Sequence, residues 1–131
     1  MKTFFAVFAL LSIGFCSLSA QPADEAAQKE LIAKANSVIE HFEKGEYSSI
    51  SEMLTGKIKE MLTPEILGQT WEKALPQQLG KYKEHGEAVY RVEHDLDMVN
   101  MRCTFEKSRA TMKVQFDGDK KITGLMFMPM P

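Results

Sequence analysis

The three histidines of the chain are the first candidates for chemistry, and their spacing does not form a metal site. His41, His85 and His94 are far apart, and no pair shows the i, i+4 spacing by which two histidines on a helix bind zinc. Polar residues cluster in His94-Asp95-Leu96-Asp97, but such a cluster is typical of a turn. The sequence therefore predicts neither a metal site nor a bound cofactor.

The chain also lacks the motifs that activate a nucleophile. The 131 residues contain no Gly-x-Ser-x-Gly elbow, no Ser-x-x-Lys and no glycine-rich phosphate loop. Cys103 shares the apolar face of a predicted strand with Met101 and Phe105, and polar residues alternate with them, as expected for an inward-facing strand position. We expect a core thiol with a raised pKa and low reactivity.

Three methionines and three aromatic residues could instead bind a ligand. Met126, Met128 and Met130 alternate near the C-terminus. Their thioethers could hold Cu(I), or they could simply form the core face of a strand. Three aromatic residues form a second set. They could line a pocket between a helix and the sheet, or they could fill the core, and large aromatic side chains are found more often in the core. This set consists of Trp71, Tyr82 and Tyr90.

Composition excludes some function classes and predicts one domain. The chain is 44% hydrophobic with a net charge of −2, so it is neither a disordered tail nor a binder of nucleic acid by bulk charge. No internal repeat or low-complexity tract divides it. We expect a single globular domain.

The first twenty residues have the pattern of a secretory signal peptide. Lys2 precedes a short apolar run, and small residues follow at Ser17, Ser19 and Ala20. We expect cleavage after Ala20, or alternatively after Ser19, leaving residues 21–131 periplasmic or secreted. Cys16 raises the alternative of a lipoprotein, but the residue before it is not small. The apolar run is too short to span a membrane.

The mature part of the chain changes its apolar period halfway. Helical spacing predicts one helix from Asp24 to about Lys44 and further helix over Tyr47–Leu62, with Thr55-Gly56 breaking the latter into two short pieces. Thr63-Pro64 starts a third helix, predicted to stop before Pro76.

Beyond Gly80 the apolar residues alternate, and short turns such as Asp117-Gly118 predict antiparallel neighbours. Four strands are expected: one from Tyr82, one over 99–105, one over 110–116 and one over 122–128. This is an α+β domain of three N-terminal helices packed on a four-stranded antiparallel sheet.

Several short segments resemble a bacterial family, the domain of unknown function 3887. They are Phe42–Tyr47, Leu62–Glu65, Trp71–Lys73, Leu79–Tyr82 and Arg102–Lys107, and the resemblance covers about 29–128. It implies a nuclear-transport-factor-2-like fold, in which helices form a cone closed by a curved sheet. Members are often exported, and the family supplies no catalytic residues.

Three functions follow as hypotheses. The first is an exported, non-catalytic accessory or binding domain that holds a small apolar ligand in its cone or pairs through its sheet as a homodimer. The alternative is a small cone-fold isomerase or dehydratase, for which Glu84, His85 and Asp97 are the candidate acids and bases. The third is Cu(I) handling by the C-terminal methionines.

Overall fold

A computed structural model describes residues 23–130. The helical elements, in chain order, are α1 (Glu25–Lys44), α2 (Tyr47–Met53), α3 (Lys57–Met61), α4 (Pro64–Gln69), a π-helical turn (Thr70–Ala74) and α5 (Leu75–Leu79). The strands are β1 (Tyr82–Glu93), β2 (Leu96–Phe105), β3 (Arg109–Phe116) and β4 (Ile122–Pro129). The α+β class with four antiparallel strands in one sheet is confirmed. The predicted signal peptide and its cleavage near Ala20 lie outside the described residues.

The longest helix, α1, begins and ends at residues that satisfy its free backbone groups. The side chain of Asp24 accepts a hydrogen bond from the N–H of Ala27 at 2.8 Å. Gly45 closes the helix with a φ of 74°, a left-handed conformation that glycine adopts without strain. One buried stripe packs against β1 and β2, as the helical spacing predicts. It consists of Leu31, Ala35, Val38, Ile39 and Phe42. No helix within residues 23–130 has the length and apolarity needed to cross a membrane.

The helical region after Thr63 does not stop before Pro76 as predicted. The chain makes a π-helical turn over Thr70–Ala74 and continues through Pro76 as α5. The N–H of Leu75 donates to the carbonyl of Thr70, five residues back. This wider turn relieves the clash that a proline ring makes with an α-helical carbonyl. The prediction of three helices is corrected to five α-helical segments and one π turn in the described part of the chain.

The four strands form a simple meander in the order β1-β2-β3-β4. The turn between β1 and β2 is His94-Asp95, where both residues take positive φ values of 54° and 64°. This is the geometry of a tight two-residue hairpin. The β1–β2 register shifts between His85 and Ala88. Such a bulge bends a strand and increases its twist, and here it lies at Gly86 and Glu87.

The two faces of the sheet differ in what covers them. We call the face under the helices the inner face, and its side chains on β2 and β3 are buried: Val99, Met101, Cys103, Phe105, Ala110, Met112, Val114 and Phe116. We call the opposite side the outer face. Met98 is buried there, and the other side chains that we assign to it remain half-buried or exposed: Val89, Arg91, Asn100, Arg102, Thr111, Lys113, Met126 and Met128. The alternation predicted for β2 and β3 is therefore present, with one face in the core and the other wetter.

Candidate functional site

Trp71 and Tyr82, two of the three predicted pocket residues, meet between the helices and the sheet. Trp71 stacks on Phe42 with ring centroids 4.8 Å apart and planes tilted by 20°. The ring of Tyr82 lies 4.8 Å from Trp71, and those of Phe127 and Phe105 lie at 6.0 and 6.4 Å. We call these five rings the aromatic cluster. Their separations are those of packed rings, so the cluster fills the space around Trp71.

The hydroxyl of Tyr82 reaches from the aromatic cluster to α1. It donates a hydrogen bond to Oε2 of Glu43 at 2.6 Å. Burial, helped by this bond and by the negative charge of Glu43, raises the pKa of Tyr82 above its ordinary value. Tyr82 therefore keeps its proton at neutral pH and serves as a hydrogen-bond donor between β1 and α1.

Tyr90, the third predicted pocket residue, lies apart from the aromatic cluster. It is eight residues further along β1 than Tyr82, about 26 Å at the usual rise of a strand. Its hydroxyl donates to Oδ1 of Asp97 at 2.5 Å and accepts from the backbone N–H of Ala23 at 2.8 Å. The structure thus brings Trp71 and Tyr82 together, whereas Tyr90 ties β1 to β2 and to the start of α1.

The acids and bases considered for an enzyme are not brought to one point. His85 pairs with Cys103, while Asp97 pairs with Val92, seven residues along β1 and about 23 Å away. Nδ1 of His85 lies 3.0 Å from the carbonyl oxygen of Gly86, its own neighbour. Glu84 is exposed, and Asp97 is held by Tyr90. These residues do not form an acid–base pair around a shared cavity.

An apolar groove lies beside the aromatic cluster, between the α4–α5 region and β4. We call it the helix–strand groove, and its volume is about 300 Å³. Phe42 and Phe127 belong both to the aromatic cluster and to its wall, so Trp71 contacts the groove through them. The other lining residues are Leu62, Leu67, Thr70, Ala74, Leu75, Gln78, Leu125 and Met126.

The chemistry of the helix–strand groove is that of a hydrophobic binding site. None of its lining residues is titratable, and only Thr70 and Gln78 carry polar side chains. Apolar walls with a few polar groups are typical of sites that bind small molecules by burying their surface. The groove therefore offers burial and one or two hydrogen bonds, and no group that could transfer a proton at neutral pH.

Most residues of this groove were not singled out as binding residues from the sequence. On the helical side, Leu67, Thr70, Ala74 and Gln78 fall three or four positions apart, which places them on one helical face. That spacing is visible in the sequence, but it also describes an ordinary core stripe. The β4 side is about fifty residues away in the chain, so only the fold shows that the two sides face each other.

Cys103 is a core thiol, as predicted. Its side chain is fully buried on the inner face. Burial, together with the negative charge of Glu43, raises the pKa of Cys103 to about 12. The thiol is therefore protonated and inaccessible in the folded protein.

The C-terminal methionines do not form a core face. Met126 and Met128 are 51% and 46% exposed on the outer face, while the neighbouring Leu125 and Phe127 pack in or against the core. Met126, on the edge strand β4, also borders the helix–strand groove. The packing explanation of their alternation is therefore wrong for these two residues. Within residues 23–130, no three His, Cys, Asp or Glu side chains lie close enough together to hold a metal ion. Cu(I) binding by the thioethers stays a prediction.

Comparison with known proteins identifies the family of this chain. The sequence profile described as "Protein of unknown function (DUF3887)" matches residues 35–125, from the middle of α1 into β4. No curated protein and no solved structure matches the chain. The profile match covers more than half of the sequence and most of the resemblance seen in its motifs. The chain belongs to the DUF3887 family of proteins of unknown function.

Proposed function

We propose that this protein is an exported, non-catalytic binding domain that takes a small apolar ligand into the helix–strand groove. The observation that carries the proposal is the lining of the groove, which is apolar except for Thr70 and Gln78 and contains no titratable group. Its volume of about 300 Å³ lies at the lower end of the range for small-molecule sites. The charged and then apolar start of the sequence supports export.

We also propose a nuclear-transport-factor-2-like arrangement, with the helices forming a cone that the sheet closes. The order of helices followed by a four-stranded meander supports it, as does the bulge that bends β1. In that arrangement the aromatic cluster fills the cone, and the ligand occupies the groove beside it. A crystal structure in which the sheet is flat, with no enclosed space between it and the helices, would refute this arrangement.

Trp71 provides the assay for the ligand, because it is the only tryptophan in the chain and contacts the groove through Phe42 and Phe127. N-phenyl-1-naphthylamine, a neutral apolar probe that absorbs at the wavelength of tryptophan emission, is titrated into the purified protein. Saturable quenching of Trp71 with a micromolar Kd is expected. Native mass spectrometry of the exported protein then identifies any apolar molecule that copurifies.

Two neighbouring glutamines supply a matched pair of variants. Gln77 and Gln78 are both exposed on α5, but only Gln78 lines the groove. When the apolar probe binds, a carboxylate at position 78 would lose part of its hydration, which is unfavourable for a charged group. Gln78→Glu should therefore weaken binding by about tenfold. Gln77→Glu adds the same charge one residue away and should leave the Kd within about twofold. Equal effects of the two substitutions, or no saturable quenching, would refute the proposal.

A second candidate function is pairing of two copies through the outer face. Val89 on β1 and the two methionines of β4, Met126 and Met128, are each about half exposed there. Asn100 and Lys113 lie between Val89 and Met126, so the face mixes apolar and polar side chains, as interfaces between proteins do. Sedimentation equilibrium should then show a dimer at micromolar concentration. Met128→Glu should dissociate it, because Met128 is exposed on the outer face and does not line the helix–strand groove. A monomer at all concentrations up to the high micromolar range would contradict this function.

A further inference from the structure

A second groove lies on the outer face of the sheet, on the side opposite to the helices. Its volume is about 430 Å³, and it crosses β1, β2 and β3. Unlike the helix–strand groove, it is lined by charged and polar side chains, with Val89 as its apolar centre. We call it the outer-face groove, and its polar lining comprises Glu87, Arg91, Asn100, Arg102 and Thr111.

The two arginines approach the outer-face groove from opposite ends. Arg91 pairs with Met98, which precedes Arg102 by four residues on β2, a separation of about 13 Å along the strand. The pair Val89 and Asn100 lies between them. Two flexible side chains of this length can therefore converge over the centre of the groove from both sides.

Neither guanidinium forms an ion pair with a carboxylate within residues 23–130. The ion pairs there involve Lys34, Lys113, Lys120 and His41, and none involves an arginine. Lys113, the third cation of the outer face, is already held by Glu93 at 3.1 Å. Hydrogen bonds from Asn100 and Lys113 lower the pKa of Glu93, and the charge of Arg91 adds to this effect from further away. Arg91 and Arg102 thus present planar donor groups to the groove, and such groups bind carboxylates through paired hydrogen bonds.

Asn100 adds an unsatisfied acceptor to the same groove. Its Nδ2 donates to Oε2 of Glu93 at 3.2 Å, which fixes the orientation of the amide. Its Oδ1 is buried and has no hydrogen-bond partner among the residues that the structure describes. A buried amide oxygen without a donor is unfavourable, so a rearrangement that brings a ligand N–H or O–H to it is favoured.

We propose that the outer-face groove binds a small carboxylate that also carries an N–H or O–H donor. Arg91 and Arg102 hold the carboxylate, and the donor satisfies Oδ1 of Asn100. Glu87, at the bulge of β1, places one negative charge on the wall and limits the affinity for an anion. This site is separate from the helix–strand groove, so it does not depend on the function proposed for that groove.

N-acetylalanine is a suitable probe, because it combines one carboxylate with one amide N–H. It is titrated into the purified ¹⁵N-labelled protein, with binding followed by the NMR shifts of backbone amides around 86–91 and 100–102. Its methyl ester, which has no charge, should not bind. Propionate should bind more weakly than N-acetylalanine, because it has the same carboxylate but no N–H or O–H donor for Asn100. Equal affinity of the two would overturn the role of Asn100.

Four variants test the assignment of the side chains. Arg91→Gln and Arg102→Gln should each weaken binding at least about fivefold, as expected for loss of a charge-assisted hydrogen bond. Arg109→Gln is the matched control, since Arg109 is exposed at the start of β3 but does not line the groove. It should change the Kd by less than about twofold. Glu87→Gln should strengthen binding, because it removes the repelling charge.

Three results would overturn the proposal. Binding of the methyl ester as tightly as the acid would exclude a role for the carboxylate. An equal loss of affinity in Arg109→Gln would show unspecific attraction to surface cations. A change in sedimentation of Arg91→Gln or Arg102→Gln, without a change in the titration, would assign these arginines to an interface between copies.

Discussion

Gly80 joins the helical region to the sheet, and its replacement by alanine tests that junction. Its φ of 86° and ψ of −172° fall in a region that essentially only glycine occupies. A Cβ at this position would lie 2.8 Å from Cβ of Glu106 and 3.1 Å from the backbone nitrogen of Lys107. Both residues are held by backbone hydrogen bonds, Lys107 to the carbonyl of Leu79 at 2.8 Å and Glu106 to that of Lys81 at 2.9 Å. Glu106 and Lys107 therefore cannot move away from the added Cβ without breaking the hydrogen bonds that join the helical region to the sheet.

Two effects should lower the free energy of unfolding of Gly80→Ala, and the same substitution at Gly56 measures one of them alone. An alanine forced into this backbone region costs about 1–3 kcal/mol. Steric overlap with a fixed neighbour adds about 1–3 kcal/mol. Gly56 has a similar conformation, with φ 70° and ψ −149°, but a Cβ there meets nothing within 4 Å. Gly56→Ala should therefore show only the backbone part, and Gly80→Ala should lower the free energy of unfolding by about 1–3 kcal/mol more.

Equilibrium unfolding in urea, followed by the fluorescence of Trp71, measures both variants. The slope for a small domain is about 1–3 kcal/mol per molar urea, so the midpoint of Gly80→Ala should lie about 1 M below that of Gly56→Ala. Equal midpoints would refute the reasoning, because they would show that the Cβ at position 80 meets no fixed neighbour. Unchanged slopes are required for the comparison, since a changed slope reports a changed unfolded state.

Three further predictions concern the tyrosine–carboxylate pairs, the buried thiol and the two faces of the sheet. Burial, with a hydrogen bond to Glu72, raises the pKa of Tyr47 from 10.0 to about 12, so its contribution to stability is complete below pH 10 and is lost as the pH rises to 12. The urea midpoint of the wild type should fall between pH 10 and pH 12, and that of Tyr47→Phe should fall less steeply. Equal slopes of midpoint against pH in the two proteins would contradict this prediction. Cys103 should not react with Ellman's reagent at pH 8 until urea unfolds the protein, and a fast reaction of the native protein would place the thiol outside the core. Met112→Ala should lower the free energy of unfolding by about 2–5 kcal/mol, whereas Met128→Thr should change it by less than about 0.5 kcal/mol. If urea unfolding showed the larger loss for Met128→Thr, the assignment of the inner and outer faces would be wrong.

Local signals in the sequence predict most of the secondary structure. Asp24 and Gly45 mark the ends of α1 because one supplies a capping carboxylate and the other adopts a left-handed backbone, and both depend only on neighbouring residues. The strands follow from two-residue alternation, which the sheet preserves on β2 and β3. The prediction failed at Pro76 because the chain makes a π turn over Thr70–Ala74 and the helix continues through the proline, although the residue types there do not indicate such a turn.

The candidate site was predictable only in part. Trp71 and Tyr82 were singled out as aromatic residues near the junction of helix and sheet, and they do lie together. Tyr90 was grouped with them by residue type, but position along β1 separates it from them by about 26 Å. For the methionines of β4 the sequence left two explanations open, Cu(I) binding or a core face, because a period of two fits either face of a strand. Periodicity reveals that a strand has two faces, but it does not reveal which one the helices cover.

By itself the sequence determined the α+β class, the order of helices before strands and the core position of Cys103, and it predicts a signal peptide over residues 1–20. These properties depend on residues close together in the chain, on their period and on composition. Only the tertiary structure decided that α4, α5 and β4 enclose an apolar groove and that Arg91, Arg102 and Asn100 share another on the outer face. Each groove is formed by residues from different strands or helices, and their distance in space is set by the strand register and by how the helices pack on the sheet.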